Sequence, residues 1–307
     1  MPHLSRFRIF LGWVKELWYW FLIPIFFLPG LLIRYGSRAG KGDTTMILVA
    51  DLFCQPLYYF RLRRALLKSG FSVIVVKTGS AFTSLHDQAR NLSRVLEKHD
   101  VEKGVLLGHG MGSLVALALP DAGRQRIEHL VSVGTPFHGS RLFLYGRFIP
   151  AIRDMAVGSN FLLFNRMNAL LFPSFTPFIA WQDELIIPFN LAQFGQGRDL
   201  IFDQVGHYNL VMSPENVQTL SEHLQEFYMP GSVIREQAAT GAQPAPAAGT
   251  PQSQKSPSKQ TPARAPAGKT AKKAPSRPAP KKAPAKPARK KAAKSAKKAK
   301  SKTKRGR

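Results

Sequence analysis

The chain has 307 residues, 44 Lys/Arg against 18 Asp/Glu, and a single cysteine, Cys54, which suits one full-sized α/β domain with appendages and not two separately cored domains. A lone cysteine excludes an internal disulfide and any metal site built on several thiolates. The net charge of +26 is concentrated: 21 of the basic residues lie between Lys255 and Arg307, no acid follows Glu236, and the remainder, with 23 basic and 18 acidic residues, is mildly basic.

The first segment, residues 1–43, contains the uninterrupted apolar run Leu17 to Ile33. As a helix, 17 residues span roughly 25 Å, a little short of the roughly 30 Å hydrocarbon core, and extension back to Ile9 past Lys15 and Glu16 supplies the missing length. Pro24 and Pro29 are expected to kink it, Trp13, Trp18, Tyr19 and Trp20 cluster at one end, and Arg34, Arg38 and Lys41 bound the other. This pattern predicts a membrane anchor, single-pass or monotopic. A cleaved signal peptide with Ser37-x-Ala39 before Gly40 fits less well, because the run is long for such a peptide and a charged pair lies within its start.

Residues 44–230 alternate short β-branched runs with amphipathic stretches, which predicts βαβ units around a mostly parallel sheet with helices on both faces. Strands are expected at Met46 to Ala50, Ser72 to Lys77, Gly104 to Leu107, His129 to Val133, Phe178 to Trp181 and Asp199 to Phe202. Helices are expected near Tyr58 to Lys68, at Leu85 to Lys98, in SLVALAL after a glycine turn, and at Pro214 to Phe227. Between about 141 and 177 the pattern breaks into Phe/Leu-rich stretches too long for a connector, and an apolar cap over a binding cleft is their expected use.

Residues 231–307 consist largely of Ala, Pro, Lys, Ser and Gly with no aromatic residue. Such a segment buries too little apolar area to offset the entropy of ordering, so a disordered tail is expected. Its spaced lysines would bind polyanions (DNA, RNA, anionic lipid or polyphosphate) by counterion release, without reading sequence. Nothing offers base stacking. Beside a membrane segment, anionic headgroups are strong competitors for the same charge.

The chemistry-bearing motif is GVLLGHGMGSLVALAL, Gly104 to Leu119. A nucleophile elbow of the form G-x-S-x-G is a sharp strand-to-helix turn that holds a serine oxygen above the sheet. Gly108 and Gly112 supply the flanking glycines and His109 and Met111 the variable places, but Gly110 stands at the centre. It has no nucleophile and no proton for a histidine to take. A dinucleotide-binding reading of Gly108-x-Gly110-x-x-Ser113 lacks the acidic residue after the next strand, which ends Val133-Gly134.

On these residues the chain resembles the bacterial lipase/esterase branch of the α/β-hydrolase superfamily, from about Met46 to Phe227. GTPFHGS (Gly134 to Ser140) resembles the G-T-P-H-x-G-S stretch of those lipases, RDMAVGSNFLLFN (Arg153 to Asn165) their cap, WQDELIIP (Trp181 to Pro188) their catalytic-acid turn and GHYNLV (Gly206 to Val211) their catalytic-histidine loop. The resemblance places Asp183 and His207 at the acid and base positions, Gly110 at the nucleophile and Met111 at the elbow N–H of the oxyanion hole. It also places Ala50, Asp51 and Leu52 at the oxyanion loop, where related lipases carry His-Gly and this chain carries ILVADLF. A carboxylate at Asp51 would repel a developing oxyanion. The tail resembles histone-H1-like Lys/Ala/Pro tails.

Ser113 points to another side of its helix than residue 110, and Cys54 has no histidine placed by sequence to activate it. The expected function is therefore that of a membrane-anchored, catalytically inactive hydrolase homologue at a bacterial inner membrane. It would bind or scaffold, with an apolar acyl ligand in the cleft, a bilayer and a polyanion as partners, a cytoplasmic tail, and no metal or cofactor. The competing reading is an esterase, lipase or acyltransferase with an atypical nucleophile.

Overall fold

The computed structural model describes residues 5–32, 40, 42, 44–195 and 199–228; the polycationic tail and its partners lie outside them. Six strands form one sheet: β1 (Thr45–Val49), β2 (Ser72–Val76), β3 (Gly104–His109), β4 (Ile127–Val133), β5 (Ser174–Gln182) and β6 (Leu200–Val205). Their order is β2-β1-β3-β4-β5-β6 and every neighbouring pair is parallel. Side chains alternate across a strand, so each apolar run feeds two cores. Met46, Leu48, Val73, Val75, Val105 and Leu107 enter one buried cluster; Ile47, Val49, Ile74, Val76 and Leu106 enter the other.

Nine helices among the described residues cover both faces: α1 (Arg6–Leu32), α2 (Phe60–Lys68), α3 (Leu85–Lys98), α4 (Met111–Leu117), α5 (Asp121–Arg124), α6 (Pro150–Met155), α7 (Asn160–Asn165), α8 (Asn209–Met212) and α9 (Pro214–Tyr228). Helix α3 shows the local logic. Ser84 caps it by accepting the Asp87 N–H, and Leu85, Ala89, Leu92 and Leu96 recur on the buried face at helical spacing.

Several boundaries differ from the sequence expectation. The predicted helix from Tyr58 opens as a 3-10 turn, Pro56–Tyr59, before α2, and the helix after the glycine turn begins at Met111 and ends at Leu117. The cap expected at 141–177 consists of a 3-10 turn (Arg141–Gly146), α6, α7 and a second 3-10 turn (Arg166–Leu171), and it gives way to β5 at Ser174. Pro177 sits opposite Ser132 inside the β4/β5 pairing, so the strand begins before the expected Phe178. Strand β6 runs to Val205, past the predicted Phe202.

The apolar N-terminal segment is a 27-residue helix containing Pro24 and Pro29. It is packed along the domain, with Glu16, Tyr19, Ile23 and Gly30 buried. The reversal of strand order beside β1 opens the position where α/β sheets place ligands, outside the carboxyl ends of β1 and β3.

Candidate functional site

The chain leaves β3 through Gly110, whose φ of +50° lies in the left-handed region, and enters α4 at Met111. Gly108 and Gly112 make this corner tight. A Cβ on Gly108 would lie 2.5 Å from the Ser113 backbone, and one on Gly112 would overlap the Val49 carbonyl of the adjacent strand.

Asp51, from the loop after β1, fills the space above Gly110. Its Oδ1 accepts the Met111 N–H at 2.7 Å, and its Oδ2 lies 3.6 Å from His207 Nε2. A Cβ at position 110 would overlap Asp51 Oδ1, lie 2.7 Å from its Cγ and stand 3.0 Å from His207 Nε2. Position 110 has no side chain, and the Asp51 carboxylate occupies the space above it together with the Met111 N–H.

The other side of His207 faces Asp183. Its Nδ1 lies 2.7 Å from Asp183 Oδ2, and Asp183 Oδ1 accepts the Leu185 N–H. Asp51, Asp183, His109 and His207 are all buried. Burial opposes charge on His207, but Asp183 and then Asp51 outweigh it, and the imidazole is held well above its ordinary range. Burial likewise opposes the Asp51 carboxylate, and the charge of His207 3.6 Å away, together with the Met111 N–H, overcomes it, holding Asp51 below the usual carboxylate range. Burial raises Asp183 against the opposing charge of His207. The two acids on either side of the ring thus favour its protonated form.

These shifts fix a pH profile. A raised histidine contributes stability that is complete below its unfolded value of about 6.5 and is lost as pH rises through the folded value; a depressed aspartate contributes above about 3.9 and is lost in acid. Asp183, raised by burial, takes stability away as pH rises above about 3.9, in the same direction as His207 above about 6.5, so we expect the urea midpoint to fall from about pH 5 to about pH 9 and to fall again in acid as Asp51 is protonated. A midpoint that rose steadily from pH 5 to 9 would contradict the charged triad.

The oxyanion-loop positions offer little. The Ala50 N–H is used by the Val76 carbonyl, the Asp51 N–H by the Tyr59 hydroxyl at 2.8 Å, and the buried Leu52 gives its carbonyl to Lys77. Tyr59 in turn lies 2.9 Å from His109 Nδ1. Burial, then the charge of His207, lowers His109 to about 3, and its ring lies tilted by 33° against His207 with centroids 4.5 Å apart. Among the described residues, Asp51, His109 and His207 present possible ligand atoms within 4.8 Å of one another.

The remaining nucleophile candidates are committed elsewhere. Ser113 Oγ donates to the Gly108 carbonyl at 2.6 Å and is buried. Cys54 is buried, and burial raises its thiol well above the ordinary value, away from the reactive thiolate.

Three residues that the sequence reading did not assign to the site hold its loops. Glu16 of α1 accepts the N–H groups of Tyr208 and Asn209 at 2.8 and 2.7 Å. Trp20 Nε1 donates to Glu184 Oε1 at 2.9 Å, while Glu184 Oε2 accepts the His207 N–H at 3.0 Å. Gly206 leaves the space for Glu16, because any Cβ there would overlap its carboxylate. The one available signal was an acid at the edge of an apolar run, which equally marks the end of a membrane segment. Glu16→Ala should leave two buried donors unpaired and cost about 1–3 kcal/mol for each, read by urea unfolding; Glu16→Gln keeps one acceptor oxygen and turns its amide NH2 toward the other N–H donor, so it should recover no more than part of the loss.

No family model matches the sequence, and no curated protein is similar to it. Solved structures do resemble it. A thermophilic esterase from Thermogutta terrifontis has 17% identity and a TM-score of 0.44 over 61% of this chain and 91% of that one. A hydrolase from Oleispira antarctica has 16% and 0.43 over 62% and 98%. Lipase B of Aspergillus fumigatus has 13% and 0.48 over 60% and 53%. With a parallel sheet reversing beside β1, a glycine corner after β3, an acid after β5 and a histidine after β6, the chain has the α/β-hydrolase fold.

Proposed function

We propose that this protein is a catalytically silent hydrolase homologue that acts by binding, as a scaffold at a membrane. The observation that carries the reading is the Asp51 carboxylate bonded to the Met111 N–H and set against His207. Acyl transfer by this fold needs a nucleophile, a base with a free lone pair and an unoccupied oxyanion donor. Here the nucleophile position has no side chain, the imidazolium proton faces a carboxylate, and the donor is taken. Attachment to the bilayer is through α1, and the tail adds sequence-independent affinity for polyanions that falls steeply with salt.

The test uses purified full-length protein with p-nitrophenyl butyrate and laurate and with a fluorophosphonate. The expected result is no turnover above the buffer rate and no label. A serine labelled by the phosphonate, with labelling lost in His207→Ala, would instead establish the competing reading of an esterase or acyltransferase.

A further inference from the structure

We infer that α1 is a foot that lies flat on a bilayer surface and does not cross the bilayer. This rests on the membrane attachment proposed above and specifies its geometry.

The helix has two unlike sides. The packed stripe recurs at helical spacing: the Gly12 carbonyl accepts from Asn209 Nδ2 at 2.9 Å, Glu16 holds the histidine loop, the Tyr19 carbonyl accepts the Tyr58 hydroxyl at 3.1 Å, Ile23 is buried, and Gly30 lies against Gln55. From Gly12 to Gly30 these contacts run along roughly 27 Å of helix. A crossing helix would either carry the polar backbone of the histidine loop into hydrocarbon or leave the domain and expose the Glu16 carboxylate to lipid. Both place unsatisfied polar groups where no water can reach them.

The opposite side presents Phe10, Leu17, Trp18, Phe21, Leu28 and Leu31, between 56% and 72% exposed. No charged residue occurs from Leu17 to Leu32. This is a long apolar ridge, larger than soluble proteins usually leave bare. A second protein surface would be expected to meet a polar rim and regular hydrogen-bonding groups, and this ridge offers almost none. Lipid requires neither. Charge agrees: Arg6 and Arg8 begin the helix, and the 21 basic residues of the tail suit an anionic leaflet. Because Glu16 and Trp20 also hold the loops of His207 and Asp183, the lipid-facing ridge and the buried triad share one helix.

The test uses the full chain with phosphatidylcholine vesicles in 0.5 M salt, which suppresses the contribution of the tail. Single cysteines introduced by Phe10→Cys, Leu17→Cys, Phe21→Cys and Leu28→Cys carry an environment-sensitive fluorophore, Cys54 being buried, and depth is read by lipid-attached quenchers. The foot predicts the same shallow depth for all four labels. It also predicts at least ~100-fold weaker partitioning for the triple variant Leu17→Ser, Phe21→Ser, Leu28→Ser, from the apolar area withdrawn. Depths that progress across the bilayer from residue 10 to 28 would overturn the foot and leave membrane attachment standing. Absence of vesicle binding would overturn both, as would a dimer that buries the four labels and stays in solution.

Discussion

The double variant Gly110→Ser, Asp51→Gly is expected to hydrolyse esters on the order of 10³-fold above the buffer rate, which the parent does not exceed, with a serine that a fluorophosphonate labels. The parent has a buried Asp183–His207 pair at 2.7 Å and a corner with the strained backbone of an elbow. Removing the Asp51 side chain frees Met111 N–H to donate to an oxyanion and removes the carboxylate that holds the proton on His207 Nε2. A Cβ at 110 stands 3.0 Å from that nitrogen, so the ring must yield by a few tenths of an ångström, leaving the hydroxyl within hydrogen-bond reach. The full triad supplies roughly a millionfold in a well-studied protease; a thousandfold allows for imperfect first-loop donors. Gly110→Ser alone should give no activity and a poorly stable protein, because its Cβ overlaps the Asp51 carboxylate. A double variant that folds but is neither labelled nor active would count against the assignment of residue 110.

The second large effect is on stability. Asp51→Ala removes one arm of the triad, leaving the Met111 N–H without its acceptor and the imidazolium with one carboxylate. Breaking a buried pair in this way costs about 3–5 kcal/mol, which for a domain of this size lowers the unfolding temperature by roughly 10 °C. Asp51→Asn keeps an acceptor for Met111 and loses only the charge, so a smaller loss of about 1–3 kcal/mol is expected. Circular dichroism melts of the two variants beside the parent separate the contributions. Equal stability of Asp51→Ala and the parent would show that Asp51 is a surface group of no structural consequence.

Much of the sheet was legible because β1 to β4 are short, β-branched and bounded by turns, and the two-residue alternation that fills two cores is written in their sequences. The elbow was legible for the same reason: strand, glycine turn and small-residue helix are contiguous. Asp51 was recognised as a hazard to an oxyanion, but its role was not, since a side chain reaching from the β1 loop over the β3 corner is a tertiary contact between residues 60 apart. Glu16 was hidden more deeply. Read locally it is a charge at the margin of an apolar run; in the fold its partners lie 192 and 193 residues away. Ser174 to Pro177 was assigned to the cap because it continues a Phe/Leu-rich stretch, and the β4 pairing that makes it a strand is not local.

The most direct test of the account is the proton on His207. With ring nitrogens labelled with ¹⁵N, His207 of the parent should titrate well above the ordinary histidine value, and in Asp51→Asn its midpoint should move down. A parent midpoint near the ordinary histidine value, unchanged by Asp51→Asn, would mean that the carboxylate does not occupy the nucleophile's place.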